Sequence, residues 1–182
     1  MREFLKRAWH FIWNDDSLLS WIVNVILAFI IVKFLIYPGI GLLFGTDYPL
    51  VAVVSCSMEH NINFDSWWET NKAWYESNGI SREQFSEFPF KNGINQGDIM
   101  VLKNRKEVNT GDVIVFAGGS SNPIIHRVVE ELSNGFVTKG DHNSIPDGST
   151  NNVIGEAFFR IPYLGWIKIL FNALIGQGII RC

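Results

Sequence analysis

Cysteine is nearly absent. Cys56 and Cys182 are the two in 182 residues. No Cys-x-x-Cys pair and no Cys/His grouping has ligand spacing, which argues against a zinc or dithiol redox centre. Spacing does not pair the two cysteines either, and Cys56 reads as a small packing residue beside Ser57. Charge is scarce as well. Charged residues make up 18% of the chain and the formal net charge is −3. With no basic stripe, this argues against a nucleic-acid binder. The chain also lacks internal repeats and low-complexity tracts. What is abundant is apolar and aromatic: 47% hydrophobic residues, seven Trp and fourteen Phe. Amphipathic rings favour membrane–water boundaries, so the composition fits a membrane-apposed protein of one domain plus an anchor.

The anchor is predicted near the N-terminus. Residues 1–17 are polar and amphipathic, with Arg2, Lys6 and Arg7. Residues 18–37 form an apolar run of about 20 residues, enough to cross a hydrocarbon core. Lys33 can snorkel to headgroups. Asn24 requires a hydrogen-bond partner within the helix or from another helix. The run exceeds a signal-peptide core and no A-x-A-like site follows it, which favours a span over a cleaved leader. The basic flank places the N-terminus inside and the bulk of the chain outside the cytoplasm. Tyr37-Pro38-Gly39 is expected to end the helix.

Residues 38–162 read as a mostly β, antiparallel domain. Val51 to Val54 suggest a buried strand. Further strands are predicted at Ile99–Leu102, Val113–Phe116, Ile124–Val129, Phe136–Lys139 and Val153–Ile161, with Asn134-Gly135 as a hairpin turn. Inside this domain, residues 61–96 form a small α and aromatic insert. Ser66 to Glu76 suits a helix, and Ser81-Arg82-Glu83-Gln84 looks like a capped helix start. The rings of this insert read chiefly as a satellite core, with contact to lipid or a substrate groove as the functional alternative. Residues 163–182 are apolar again, and either cross the bilayer or lie in the interface.

Ser57 ends the first strand among small residues, a rigid placement that suits a nucleophile. A serine hydroxyl needs a base. His10 precedes the anchor, on the wrong side of the membrane; His60, His126 and His142 remain. His126 stands out within Ile124-Ile125-His126-Arg127-Val128, where an apolar strand obliges the imidazole to find partners. Asp141 and Asp147, in the polar loop after it, offer the carboxylate that fixes a histidine tautomer. Ser57, His126 and one of these acids make up a nucleophile, base and orienter.

Those pieces together resemble the type I signal peptidases, in the branch of archaea and the endoplasmic reticulum. The similarity rests on Ser55-Cys56-Ser57-Met58-Glu59, Gly97-Asp98-Ile99, Gly111-Asp112-Val113-Ile114, Ile125-His126-Arg127-Val128 and Lys139-Gly140-Asp141, in the family's order. The resemblance implies a membrane-anchored serine endopeptidase that removes signal peptides from secretory preproteins after a small-x-small motif. It implies Ser57 as nucleophile, His126 as base, Asp147 as the triad acid and Asp141 as a second, supporting acid. It also implies that the Ser55 hydroxyl joins the Ser57 amide in binding the oxyanion. No cofactor or metal is implied. The implied partners are secretory preproteins, membrane lipid and the translocation machinery, and the expected location is the cell membrane, crossed once or twice, with the catalytic domain on the extracytoplasmic side. Three departures stand out: Cys56 for the usual Gly, His60 for Pro, and His142 for Asn. His60 is the second candidate for the base. The non-enzymatic alternative is a membrane-anchored β module that binds secretion components. A self-cleaving repressor-type protease is disfavoured by the anchor and the net charge.

Overall fold

The structure is a computed structural model that describes residues 1–104, 107–118, 123–176 and 178. It divides into two compact units, Met1–Leu43 and the chain from Phe44 onward.

The first unit is helical. Helix α1 (Arg2–Asn14) has no buried residue. Asp15 and Asp16 break it. Ser17 then caps helix α2 (Leu18–Ile31) by accepting the Ser20 amide proton on its hydroxyl. Helix α2 does not stop at Tyr37, as the Tyr-Pro-Gly signal led us to expect. It passes through a π-helical turn, Val32–Ile36, into helix α3 (Tyr37–Phe44). The Tyr37 amide reaches back five residues, to the Val32 carbonyl. The reason lies in Pro38. A proline ring inside an α-helix clashes with the carbonyl four residues earlier and removes one bond from the ladder. A widened turn just before it accommodates both defects, so the helix continues without ending. The continuous helix Leu18–Phe44 has 27 residues and a mean hydropathy of 2.5.

The second unit is built on one seven-stranded, wholly antiparallel sheet in the order β1-β2-β7-β3-β4-β5-β6. Its strands are β1 (Leu50–Ala52), β2 (Ile99–Lys103), β3 (Val113–Ala117), β4 (Pro123–Leu132), β5 (Gly135–Lys139), β6 (Ser149–Thr150) and β7 (Val153–Ile161). The mostly antiparallel reading holds. Strand β1 is shorter and less buried than the Val51–Val54 run suggested, because it is an edge strand paired on one side only. The central strand β3 is buried on both faces. Val113 and Val115 join a core with Val53, Met58, Ile94, Met100 and Leu102. Ile114 and Phe116, on the other face, pack with Val128.

The insert folds as helix α4 (Phe64–Ser77), capped by Asn63, and helix α5 (Arg82–Ser86), capped by Ser81. Trp67, Trp68, Tyr75, Ile80 and Phe85 form a core that closes on Val129 of β4. These five side chains pack inward, as the satellite-core reading expects, while Phe64, Trp74 and Phe88 are half-buried around them. Helix α6 (Trp166–Leu174) buries Ile169 and exposes Ile167, Leu170, Phe171 and Leu174. Arg181 and Cys182 lie outside the described residues.

Candidate active site

Two Gly-Asp turns brace the scaffold. Gly97 and Gly111 adopt φ values of +86° and +100°, a region that favours glycine. Each following aspartate then accepts a backbone N–H three residues behind it. Asp98 Oδ2 takes Asn95 N–H at 2.9 Å, and Asp112 Oδ2 takes Asn109 N–H at 2.9 Å. The first turn is stitched to the chain that carries Ser57. Val53 N–H donates to Asp98 O, Gly97 N–H donates to Val53 O, and Ile94 N–H donates to Met58 O. The Gln96 side-chain amide donates to Val54 O, and Gln96 N–H donates to Glu59 Oε1.

The other side of the Ser57 turn meets the loop after β5. His142 N–H donates to Ser57 O at 2.8 Å. A Cβ on Gly140 would stand 2.7 Å from that same carbonyl, so the approach requires glycine. Strand register brings His126 to the same place. Arg127 of β4 pairs with Lys139 of β5, which carries His126 level with Gly140. Ser57 and His126 thus meet the same short loop from two directions, although they are 69 positions apart in sequence.

His126 is buried, and its Nδ1 lies 2.5 Å from Asp147 Oδ2. Nδ1–H facing a carboxylate leaves Nε2 as the free acceptor, the tautomer a general base needs. Asp147 is itself held twice by Thr138, whose hydroxyl donates to Oδ2 at 2.7 Å and whose carbonyl accepts Asp147 N–H at 2.7 Å. Burial alone would raise the Asp147 carboxyl. Its bonds from His126 and Thr138 outweigh burial and hold it below the usual carboxylate range. Ser57 is half-buried, and its Oγ lies 3.3 Å from Ser55 Oγ. Among the described residues, no hydrogen bond joins Ser57 Oγ to His126. Cys56, between the two serines, is disulfide-bonded and is not a free thiol.

Asp141 does not touch His126. It is fully buried and accepts Arg127 Nε at 2.9 Å on Oδ1 and Arg127 Nη2 at 2.7 Å on Oδ2. His60 Nε2 lies 3.0 Å from Asp141 Oδ2, and Tyr75 donates its hydroxyl to Oδ1 at 3.4 Å. Burial would raise this carboxyl, but the Arg127 guanidinium and His60 hold it well below its ordinary value. His60 is 2% exposed and stacks on Trp67 at 3.8 Å with a 1° tilt, so it is sealed inside the insert's core. The structure therefore separates the two acids. Asp147 faces the His126 ring, and Asp141 anchors the loop that holds Ser57 O. Sequence reasoning missed this partnership of His60 with Asp141, and also missed Tyr75. A histidine at a position where the family has Pro was the signal that could have found it. His142 carries an exposed ring and contributes through its backbone.

No family model matches the chain. Curated proteins do. The chain is 28% identical over 156 residues to the signal peptidase complex catalytic subunit SEC11C of Homo sapiens, an alignment covering 76% of this chain and 65% of that one. The chain is similar to signal peptidase catalytic subunits. The corresponding subunits of Neurospora crassa and Scheffersomyces stipitis are each 26% identical, covering 76% of this chain and 73% and 75% of their own lengths. The chain thus spans a little under two thirds of the mammalian relatives it matches. The resemblance carried by the five motifs is borne out.

Proposed function

We propose that the protein is a membrane-anchored serine endopeptidase that removes signal peptides from secretory preproteins, cleaving after a small-x-small motif. The observation that carries the proposal is the His126–Asp147 pair, which leaves Nε2 as the acceptor, together with the loop after β5 that bonds Ser57 O. In this reading Ser57 Oγ attacks the scissile carbonyl and its proton passes to His126 Nε2. The Ser57 amide and the Ser55 hydroxyl receive the oxyanion; each such preorganised donor is worth about 3–4 kcal/mol. His126 then returns the proton to the leaving amine, and water, deprotonated by the same ring, releases the acyl-enzyme. The Ser57–His126 bond forms as substrate seats, since catalytic hydrogen bonds often tighten only in the bound complex.

Substrate enters along β1. That strand is the sheet edge and runs directly into the Ser57 turn, so an extended peptide can add to it as a further strand. Val51 and Ala52, half-buried on that strand, are suited to shallow pockets for small side chains, whereas Val53 is sealed in the core. The helix Leu18–Phe44 crosses the membrane once and keeps the catalytic unit on the extracytoplasmic side. It also confines enzyme and preprotein to one surface, which raises their effective concentration. Lipid and the translocation machinery are the accompanying partners.

Ser57→Ala tests the reading. The variant is expected to stay folded and membrane-bound and to lose processing of a preprotein, scored by sequencing the new N-terminus. Unimpaired cleavage would refute the assignment. It would favour the non-catalytic β module, in which Ser57 also fails to react with a covalent serine probe.

A further inference from the structure

The two polar side chains that interrupt the start of the apolar helix bond to another helix, which was one of the alternatives for Asn24, and that helix is α1. Ser20 Oγ donates to Phe11 O at 2.6 Å, and Asn24 Nδ2 donates to Ile12 O at 2.8 Å. Phe11 and Ile12 belong to the last turn of α1, where carbonyls have no partner within the helix. The end of α1 is thus fixed beside the first two turns of α2. At about 1.5 Å rise per residue, Ser20 and Asn24 stand about 3 Å and about 9 Å along the helix from Leu18. If Leu18–Phe44 spans a bilayer, those positions fall within the outer boundary of the hydrocarbon. Amphipathic helices lying in the interface bury their apolar face to about 5–10 Å, the same depth.

The chemistry of α1 matches that level. Arg2, Lys6 and His10 share one side at i, i+4 and i+8, and Arg7 lies near them. Phe4, Ala8, Phe11 and Ile12 lie opposite. Three permanent cations face one acid, Glu3, which pairs with Lys6 at 3.3 Å. Trp9 and Trp13 sit where the two faces meet, with ring centroids 5.6 Å apart, and both are largely exposed, at 65% and 67%. Phe4 is 72% exposed. Ala8, Phe11 and Ile12 are half-buried toward the junction with α2, which leaves the Phe4 end of this face open.

From this we infer that α1 is a membrane-surface helix whose ligand is the anionic lipid leaflet, held at interfacial depth by Ser20 and Asn24. The inference rests on the reading of Leu18–Phe44 as a span and not on the peptidase chemistry.

The test uses the full chain reconstituted into vesicles of phosphatidylcholine alone or mixed with phosphatidylglycerol, with acyl chains brominated near the headgroup or near their ends. The difference in fluorescence between wild type and a Trp9→Phe, Trp13→Phe variant isolates these two rings. Their emission is expected to be lost to the shallow quencher, and more completely with phosphatidylglycerol present. Each Lys or Arg near an anionic surface strengthens attachment about fivefold. Replacing Arg2, Lys6 and Arg7 together by Gln should therefore weaken docking on the order of 100-fold in the mixed vesicles and little in phosphatidylcholine. Ser20→Ala with Asn24→Ala should make the quenching shallower in both. Three results overturn the inference: no quenching at either depth, quenching indifferent to lipid charge and to the Gln variant, or burial of the two rings only when a second protein is added. Resistance to alkaline carbonate extraction reports separately on the span, so a protein that resists extraction yet shows no quenching refutes the docking of α1 and leaves the anchor standing.

Discussion

Asp141 and Asp147 are six residues apart on one loop, yet they lie in opposite environments. Asp147 holds an imidazole by its Nδ1, and Asn in its place would offer an amide donor to that nitrogen and turn the ring's tautomer. Asp147→Asn is therefore expected to lower kcat on the order of 1,000- to 10,000-fold, with KM nearly unchanged. Steady-state kinetics on a preprotein or signal-peptide substrate would check this. Lys139 offers a pH test. It is 1% exposed, donates to Gly140 O at 3.2 Å and lies 5.0 Å and 4.8 Å from the Trp74 and Tyr75 ring centroids. Burial, only partly opposed by Asp141, lowers its pKa to about 8. An unfolded lysine titrates near 10.4, so between about pH 8 and 10 the unfolded state binds the extra proton and stability rises with pH. Lys139→Met should remove this alkaline rise, measured as denaturation midpoints from pH 7 to pH 10.5.

The insert is held by helix caps and aromatic packing. Trp68 is 1% exposed and meets Phe64, Trp67, Tyr75 and Phe85. Trp68→Ala is expected to cost about 3–5 kcal/mol, read from the denaturant midpoint of the folded domain. Much at this scale was legible in sequence. Ser81 caps α5 as its spacing suggested, the hairpin expected at Asn134-Gly135 is present but turns one residue earlier, at Ser133-Asn134, with Gly135 opening β5, and β7 ends just before Pro162. These features follow from local chemistry, which a sequence carries directly. Three others did not follow. The helix passes Pro38 because a π-helical turn absorbs it, and that turn has no residue signature. The short strand β6 hides in a polar loop because its pairing with Phe136 and Val137 is a long-range choice. The division of labour between Asp141 and Asp147 depends on which strand neighbour each faces, and residue spacing does not encode that. The candidate triad residues were visible. The bonds of His60 and Tyr75 to Asp141 and of Thr138 to Asp147 were not, because each is defined by packing across elements.

At the scale of the whole molecule, one apolar helix precedes one β unit, which sets up a test of orientation. If the basic N-terminus stays inside, protease added to the outer face of sealed vesicles should digest the chain from Phe44 onward and spare α1 and α2. Immunoblotting for an N-terminal tag and for the β unit itself would show it, and protection of the β unit would reverse the proposed topology. The paired Gly-Asp turns carry a last consequence. Gly97-Asp98 and Gly111-Asp112 supply two of the five stretches by which such a chain is recognised, yet both aspartates accept backbone bonds that close bends in the chain, and it is Asp147 that bonds the His126 ring. A descendant that lost its hydroxyl at position 57 would keep both bends for folding alone. Retrieval by those stretches therefore certifies shared ancestry of the scaffold, and the claim to turnover has to be read separately, at Ser57, His126 and Asp147.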